Sequence, residues 1–184
     1  IVARIISPAT EFPGNMALGA VNDPRAARAQ GAVLGRELAA LGINVDFAPD
    51  VDVNTNLANP VIGVRSMGDD PVRVGVLGVE QIRGIQSRGV AATVKHFPGH
   101  GDTQIDSHLG LPVVEYGRTT LERHLVPFRM AISAEVDMIM TAHIIVKTLD
   151  PTLPATLSKK VLTGLLREQM GYRGIITTDA LDME

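Results

Sequence analysis

Apolar positions along this chain follow two alternating rhythms. After Asp23-Pro24, a capping residue and a first-turn proline, Ala26, Ala29, Val33, Leu34, Leu38 and Leu41 recur at helical spacing until Gly42. Ile43 to Val53 then predicts a strand that ends in acids, Val45-Asp-Phe-Ala-Pro-Asp-Val-Asp-Val53. A loop rich in Asn, Gly and Pro, Asn54 to Asp69, carries Arg65. Asp70-Pro71 opens a second helix, with Val72, Val76, Leu77, Val79, Ile82 and Ile85 turned inward and Gly89 as its stop. Val90 to Phe97 is the second strand. Thr119 and Glu122, three apart, mark the start of a third helix whose inner face is Leu121, Leu125, Phe128 and Ile132. Val136 to His143 is a third strand, Leu149 to Leu157 a proline-punctuated loop, and Ser158 the cap of a fourth helix, Lys159 to Met170. Gly174 to Thr178 is the fourth strand, with Asp179 at its tip.

Helices and near-continuous apolar strands in alternation indicate a parallel sheet covered by helices. Asp50 and Asp52, Lys95 and His96, His143, and Asp179 all fall just past the C-terminal ends of strands. A (β/α)8 barrel builds its active site on that face. A doubly wound sheet also binds ligands there, but no Gly-x-Gly-x-x-Gly turn follows any strand. The expected fold is therefore a TIM-like barrel. Such barrels take about 250 residues, so four strands predict only part of one, within a longer protein.

Composition narrows the function classes. The 184 residues carry 17 basic and 20 acidic side chains without a basic patch, which argues against nucleic acid as a partner. There is no Cys, so a disulfide framework is excluded while the compartment stays undecided. No apolar run reaches the roughly 18 residues of a membrane span. Oligomeric state is not readable.

The chemistry concentrates in Lys95-His-Phe-Pro-Gly-His-Gly-Asp-Thr-Gln-Ile-Asp-Ser-His108, a loop at the tip of a buried strand. His96 and His100 are four apart, but Pro98 and Gly99 break the helix that would bring the rings together, and no Cys or Glu completes a ligand set. No metal and no cofactor is expected. In Asp106-Ser-His108 the carboxylate can accept a ring N–H, leaving the other nitrogen to pass a proton. Ser107 lacks a nucleophile elbow. Asp179 suits either the cap of a following helix or catalysis. Asp50 and Asp52 read as loop-shaping residues, Asp102 as a turn closer and His124 as a solvated helix residue, while His143 suits either a pocket wall or a satisfied core position. Arg65 and Lys95 suit sugar hydroxyls, a carboxylate or local acids.

The central motif, with Leu111-Pro112 after it, resembles the signature of family 3 glycoside hydrolases, in particular the bacterial β-N-acetylhexosaminidase, NagZ-like, branch. Asn59-Pro-Val-Ile-Gly-Val-Arg65-Ser66, Met140-Thr-Ala-His143 and Thr178-Asp-Ala-Leu181 resemble three further motifs of that branch, in order. The resemblance implies that residues 1–184 form part of an N-terminal catalytic barrel domain. It implies a retaining exo-hydrolase that removes non-reducing N-acetylglucosamine from peptidoglycan fragments or related glycans. Asp179 matches the nucleophile, His108 the general acid/base and Asp106 its partner. Arg65, Lys95 and His96 match sugar-binding positions. So does Arg4, which in the family follows an Asp-Gln-Glu-Gly-Gly motif that would precede Ile1. A histidine, with an ordinary pKa of about 6.5, can donate a proton near neutral pH without the tuning a carboxylic acid requires. Gly99 and Gly101 would let its loop close over the sugar. The competing readings are a family 3 β-glucosidase, a β-N-acetylglucosaminide phosphorylase on the same scaffold, and a non-catalytic sugar-binding protein.

Overall fold

The computed structural model describes residues 9–104 and 110–183. Its main sheet has four parallel strands in chain order: β1 (Val45–Asp46), β2 (Ala91–Phe97), β4 (Met138–Thr141) and β6 (Ile175–Thr178). Each neighbour pair is joined by a crossover helix: α3 (Pro71–Gln86), α4 (Arg118–Ser133) and α5 (Lys160–Gln169). α1 (Asn15–Val21) and α2 (Pro24–Ala40) precede β1. Strands that follow one another in space as in sequence form the arc of a barrel; a doubly wound sheet would reverse its order at a switch point. The architecture is thus part of a TIM-like barrel. A parallel pair of short strands, β3 (Val113–Val114) and β5 (Ile145–Val146), lies beyond the expected set. Among the described residues no helix is long and apolar enough to cross a membrane.

Helix starts follow the capping chemistry. Asp23 accepts from Arg25 N at 2.9 Å, and Asp70 Oδ1 accepts from Val72 N and Arg73 N, both at 2.9 Å. The third expected cap is corrected: α4 begins after Gly117 with no side-chain cap, and Thr119 lies inside its first turn. The strand expected over Ile43–Val53 pairs only at Val45–Asp46 and again at the Asp50–Lys95 bridge. Pro49 offers no N–H there to continue the ladder.

The core lies between sheet and helices, where Val94, Phe97, Ile139, Leu77, Ile82, Leu125 and Phe128 are fully buried. Phe97 and Phe128 meet edge to face, ring centroids 5.2 Å apart. Two helix faces depart from the apolar pattern. Val72 is 58% exposed and Val76 36%, while Val74 is buried. Ala29 on α2 and Leu41 just past its end face out, Ala27 is buried, and Gly31 and Gly35 face α3. A Cβ at Gly31 would stand 2.4 Å from Gln81 O, and one at Gly84 2.4 Å from Arg28 O. The two helices meet backbone to backbone, and a count of large apolar residues does not register glycine as a contact surface.

Candidate active site

The register of β2 against β4 decides what reaches the site. Val94 pairs with Ile139, but Phe97 pairs with Thr141, so β2 carries one extra residue at Lys95–His96. Consecutive residues of a regular strand point to opposite faces. The bulge re-aims them, and Lys95 and His96 both line a cavity of about 720 Å3. Asp50, Arg65, Met140 and Asp179 line the same cavity. Of the expected site residues, Arg65, Lys95, His96 and Asp179 are thus brought together. Arg4, Asp106 and His108 lie outside the described residues.

Asp52 anchors this end of the barrel. It is 0% exposed and accepts from His96 Nδ1 at 2.6 Å, from His100 N at 2.6 Å and from His96 N at 3.3 Å. His96 Nδ1 therefore carries a proton. On its other side, Arg65 Nη2 lies 3.2 Å from His96 Nε2. A guanidinium can only donate, so Nε2 accepts, and the tautomer is settled by its neighbours. Burial pushes His96 down to about 4, consistent with a ring that carries a single proton.

Asp50 stands apart. Burial, reinforced by the charge of Asp52, pushes its carboxyl up to about 7, against the pull of His96 and Arg65. Its Oδ2 lies 3.4 Å from Arg65 Nη2 but makes no hydrogen bond. Burial also lowers Lys95, partly offset by Asp50 and Asp179.

Asp179 follows β6, whose end is fixed by Asp179 N donating to Thr141 O at 3.2 Å. Its Oδ1 accepts from Ala180 N at 2.8 Å. Its Oδ2 faces the cavity 3.6 Å from His96 Nε2. The carboxylate thus has one oxygen tied back and one beside the His96 imidazole, in a cavity that Arg65 and Lys95 also line.

The family model for the glycosyl hydrolase family 3 N terminal domain matches residues 1–184. The chain belongs to this family. It is 46% identical over 200 residues to Beta-hexosaminidase A of Pseudoalteromonas piscicida, covering 99% of the chain and 33% of that protein. The structure of a glycoside hydrolase family 3 beta-N-acetylglucosaminidase from Paenibacillus sp. str. FPU-7 superposes with a TM-score of 0.97 at 53% identity, over 99% of the chain and 35% of that one. Native NagZ from Neisseria gonorrhoeae superposes with a TM-score of 0.92 at 35% identity, over 99% and 55%. The chain spans between a third and about half of the length of these relatives.

Several residues of this family 3 site were missed or misjudged from sequence. Asp50 and Asp52, read as loop formers, are a cavity wall and a buried acceptor. Asn59 Oδ1 accepts from Val61 N and Ile62 N, and its Nδ2 donates to His100 O at 2.9 Å, joining the Arg65 loop to the central loop. His124, expected in solvent, is 0% exposed and stacks on Tyr116. Its spacing from Leu121, Leu125 and Phe128 already assigned it to the inner face. Asp102 Oδ1 accepts from Thr55 Oγ1 at 2.9 Å, and among the described residues no bond from its side chain closes its own turn. Gly99 and Gly101 also sit where the loop approaches its neighbours closely. Gly99 has φ 125°, and a Cβ there would stand 2.7 Å from that of His124; a Cβ at Gly101 would stand 1.9 Å from Val53 O. Potential ligand atoms of Asp50, Asp52 and His96 come within 4.8 Å of one another. The Asp52 and His96 atoms are engaged with each other, and the Arg65 cation adjoins Asp50. Such a trio is better suited to orienting a ring than to holding a cation.

Proposed function

We propose that residues 1–184 are part of the catalytic barrel domain of a retaining exo-β-N-acetylglucosaminidase acting on peptidoglycan fragments or related glycans. The observation that carries this reading is Asp179: one oxygen is held by Ala180 N–H, and the other is open to a cavity shared with Arg65, Lys95 and His96. Such an oxygen can attack an anomeric carbon. As Asp179 Oδ2 bonds to C1, the glycosidic C–O bond breaks and protonated His108 gives the leaving oxygen its proton. His108, oriented by Asp106 and now neutral, then takes a proton from water. That water attacks C1, the bond to Asp179 breaks, and the sugar leaves with retained configuration. Arg4, Arg65, Lys95 and His96 hold sugar hydroxyls. His96 does so at Nε2 where a sugar hydroxyl takes the place of the Arg65 N–H that this nitrogen otherwise accepts. The names of the similar proteins, β-hexosaminidase and β-N-acetylglucosaminidase, support the sugar class.

The test compares aryl β-N-acetylglucosaminide with aryl β-glucoside, with and without phosphate, using the full-length protein as wild type and Asp179→Ala. Fast cleavage of the N-acetyl sugar by wild type alone is expected. Preference for the glucoside overturns the sugar class, and acceleration by phosphate with a sugar phosphate as product overturns hydrolysis. If neither sugar is cleaved, the reading falls to a non-catalytic sugar-binding protein.

A further inference from the structure

We infer that His143 is a positioning residue for Asp179, an inference that rests on Asp179 being the nucleophile. His143 is not among the residues that line the cavity. It sits just past β4, half-buried, between two elements of the site wall. Its Nε2 is 2.9 Å from Ala180 O, and its Nδ1 is 2.8 Å from Thr156 Oγ1. A carbonyl oxygen only accepts, so Nε2 carries the proton and donates it to Ala180. Nδ1 then accepts from the Thr156 hydroxyl. That hydroxyl, buried, is also 3.0 Å from Thr141 Oγ1. The Thr156 hydroxyl is also 3.0 Å from Ala142 O and shares its one proton between that carbonyl and His143 Nδ1, so the bond whose direction is fixed is His143 Nε2–H to Ala180 O.

That bond is what bears on the reaction. Ala180 is the residue whose N–H is donated to Asp179 Oδ1 at 2.8 Å. Two bonds fix the backbone around the nucleophile: Asp179 N to Thr141 O at 3.2 Å on one side and Ala180 O to His143 on the other. With both in place, Ala180 N–H is aimed at Oδ1 and Oδ2 is left to the cavity. Without the His143 bond, the described turn after β6 loses one of these two restraints and keeps the one from Asp179 N to Thr141 O. The carboxylate can then rotate and present either oxygen, or neither, to C1. Displacements of about 1 Å at a reacting atom can cost on the order of 10²-fold in rate.

The experiment measures kcat, KM and the pre-steady-state burst of aryl alcohol from aryl β-N-acetylglucosaminide. It uses full-length wild type, His143→Phe, His143→Gln and Asp179→Ala, each checked for an unchanged melting temperature. The glutamine amide can donate from near the Nε2 position. His143→Phe is expected to lower kcat and the burst rate roughly 10- to 100-fold with KM within about threefold, and His143→Gln to recover most of the loss. If Asp179→Ala is inactive while His143→Phe keeps wild-type burst and kcat, the positioning role is wrong and the nucleophile stands. If glutamine does no better than phenylalanine, the hydrogen bond to Ala180 is not the cause and the inference falls. If Asp179→Ala retains activity, the reading beneath it fails as well.

Discussion

Asp52 and Asp179 look alike in the sequence, since each is an aspartate just past a strand among apolar neighbours. In the fold they are opposites. Asp52 is sealed from solvent, with both oxygens engaged by N–H donors of His96 and His100. Asp179 has a side chain 24% exposed, one oxygen held and the other open to the cavity. A carboxylate surrounded by donors is an anchor. A carboxylate with one oxygen that takes no hydrogen bond among the described residues and faces a cavity lined by Arg65 and Lys95 suits the nucleophile of the proposed function. The count of donors at each oxygen decides the role, and position at a strand tip does not.

Substitution tests that contrast directly. Asp179→Ala should lower turnover by at least about 10³-fold while leaving urea unfolding within about 0.5 kcal/mol of wild type. Destabilisation on the scale expected for Asp52 would make Asp179 an anchor too. Asp52→Ala should behave in reverse order, with unfolding first affected. It removes the acceptor that His96 Nδ1, His96 N and His100 N share in a sealed site, and a loss of about 3–5 kcal/mol in denaturant titration is expected. A change under 1 kcal/mol would refute the anchor.

Gly101→Ala extends the test to the loop that Asp52 holds. Its methyl would collide with the backbone at Val53, and about 1–3 kcal/mol of destabilisation is expected by the same titration. No change would mean that the loop yields freely and that Asp52 anchors less than its bonds suggest.

The smallest effect concerns the second carboxyl of the anchor, Asp50. Its value rises from 3.8 to about 7 on folding, so its contribution to stability is present below pH 3.8 and is lost as pH climbs toward 7. His96, lowered from 6.5 to about 4, has the opposite sign: its contribution is present above pH 6.5 and lost as pH falls toward 4. The two oppose each other over pH 4–6.5. Asp50→Asn removes the opposing slope and also the charge that raises His96, so both changes favour the variant as pH climbs, and it should gain on wild type between pH 4.5 and 7 by on the order of 1 kcal/mol. Parallel unfolding midpoints across that range would count against the buried, proton-holding Asp50.

Much of the architecture was legible before any coordinate. Asp23-Pro24 and Asp70-Pro71 announced their helices because a cap is a local bond between a side chain and the next few N–H groups. The four apolar runs announced a parallel sheet because strands buried on both faces have no polar alternation. Lys95, His96 and Asp179 could be placed at strand tips, and Arg65 in a loop near them. The sequence by itself thus determined the elements, their order and the end of the sheet that carries chemistry.

Tertiary structure decided the rest, because it depends on contacts between residues far apart in the chain. One extra residue in β2 turned Lys95 and His96 toward the same cavity, a shift visible only against the register of β4. Gly31 and Gly84 became the contact between α2 and α3, since only the partner helix shows how close the backbones come. Asp52 became an anchor because the donors of His96 and His100 lie 44 and 48 residues away. Local periodicity records which side chains avoid water; the hydrogen bonds that separate an anchor from a free carboxylate form only when distant segments meet.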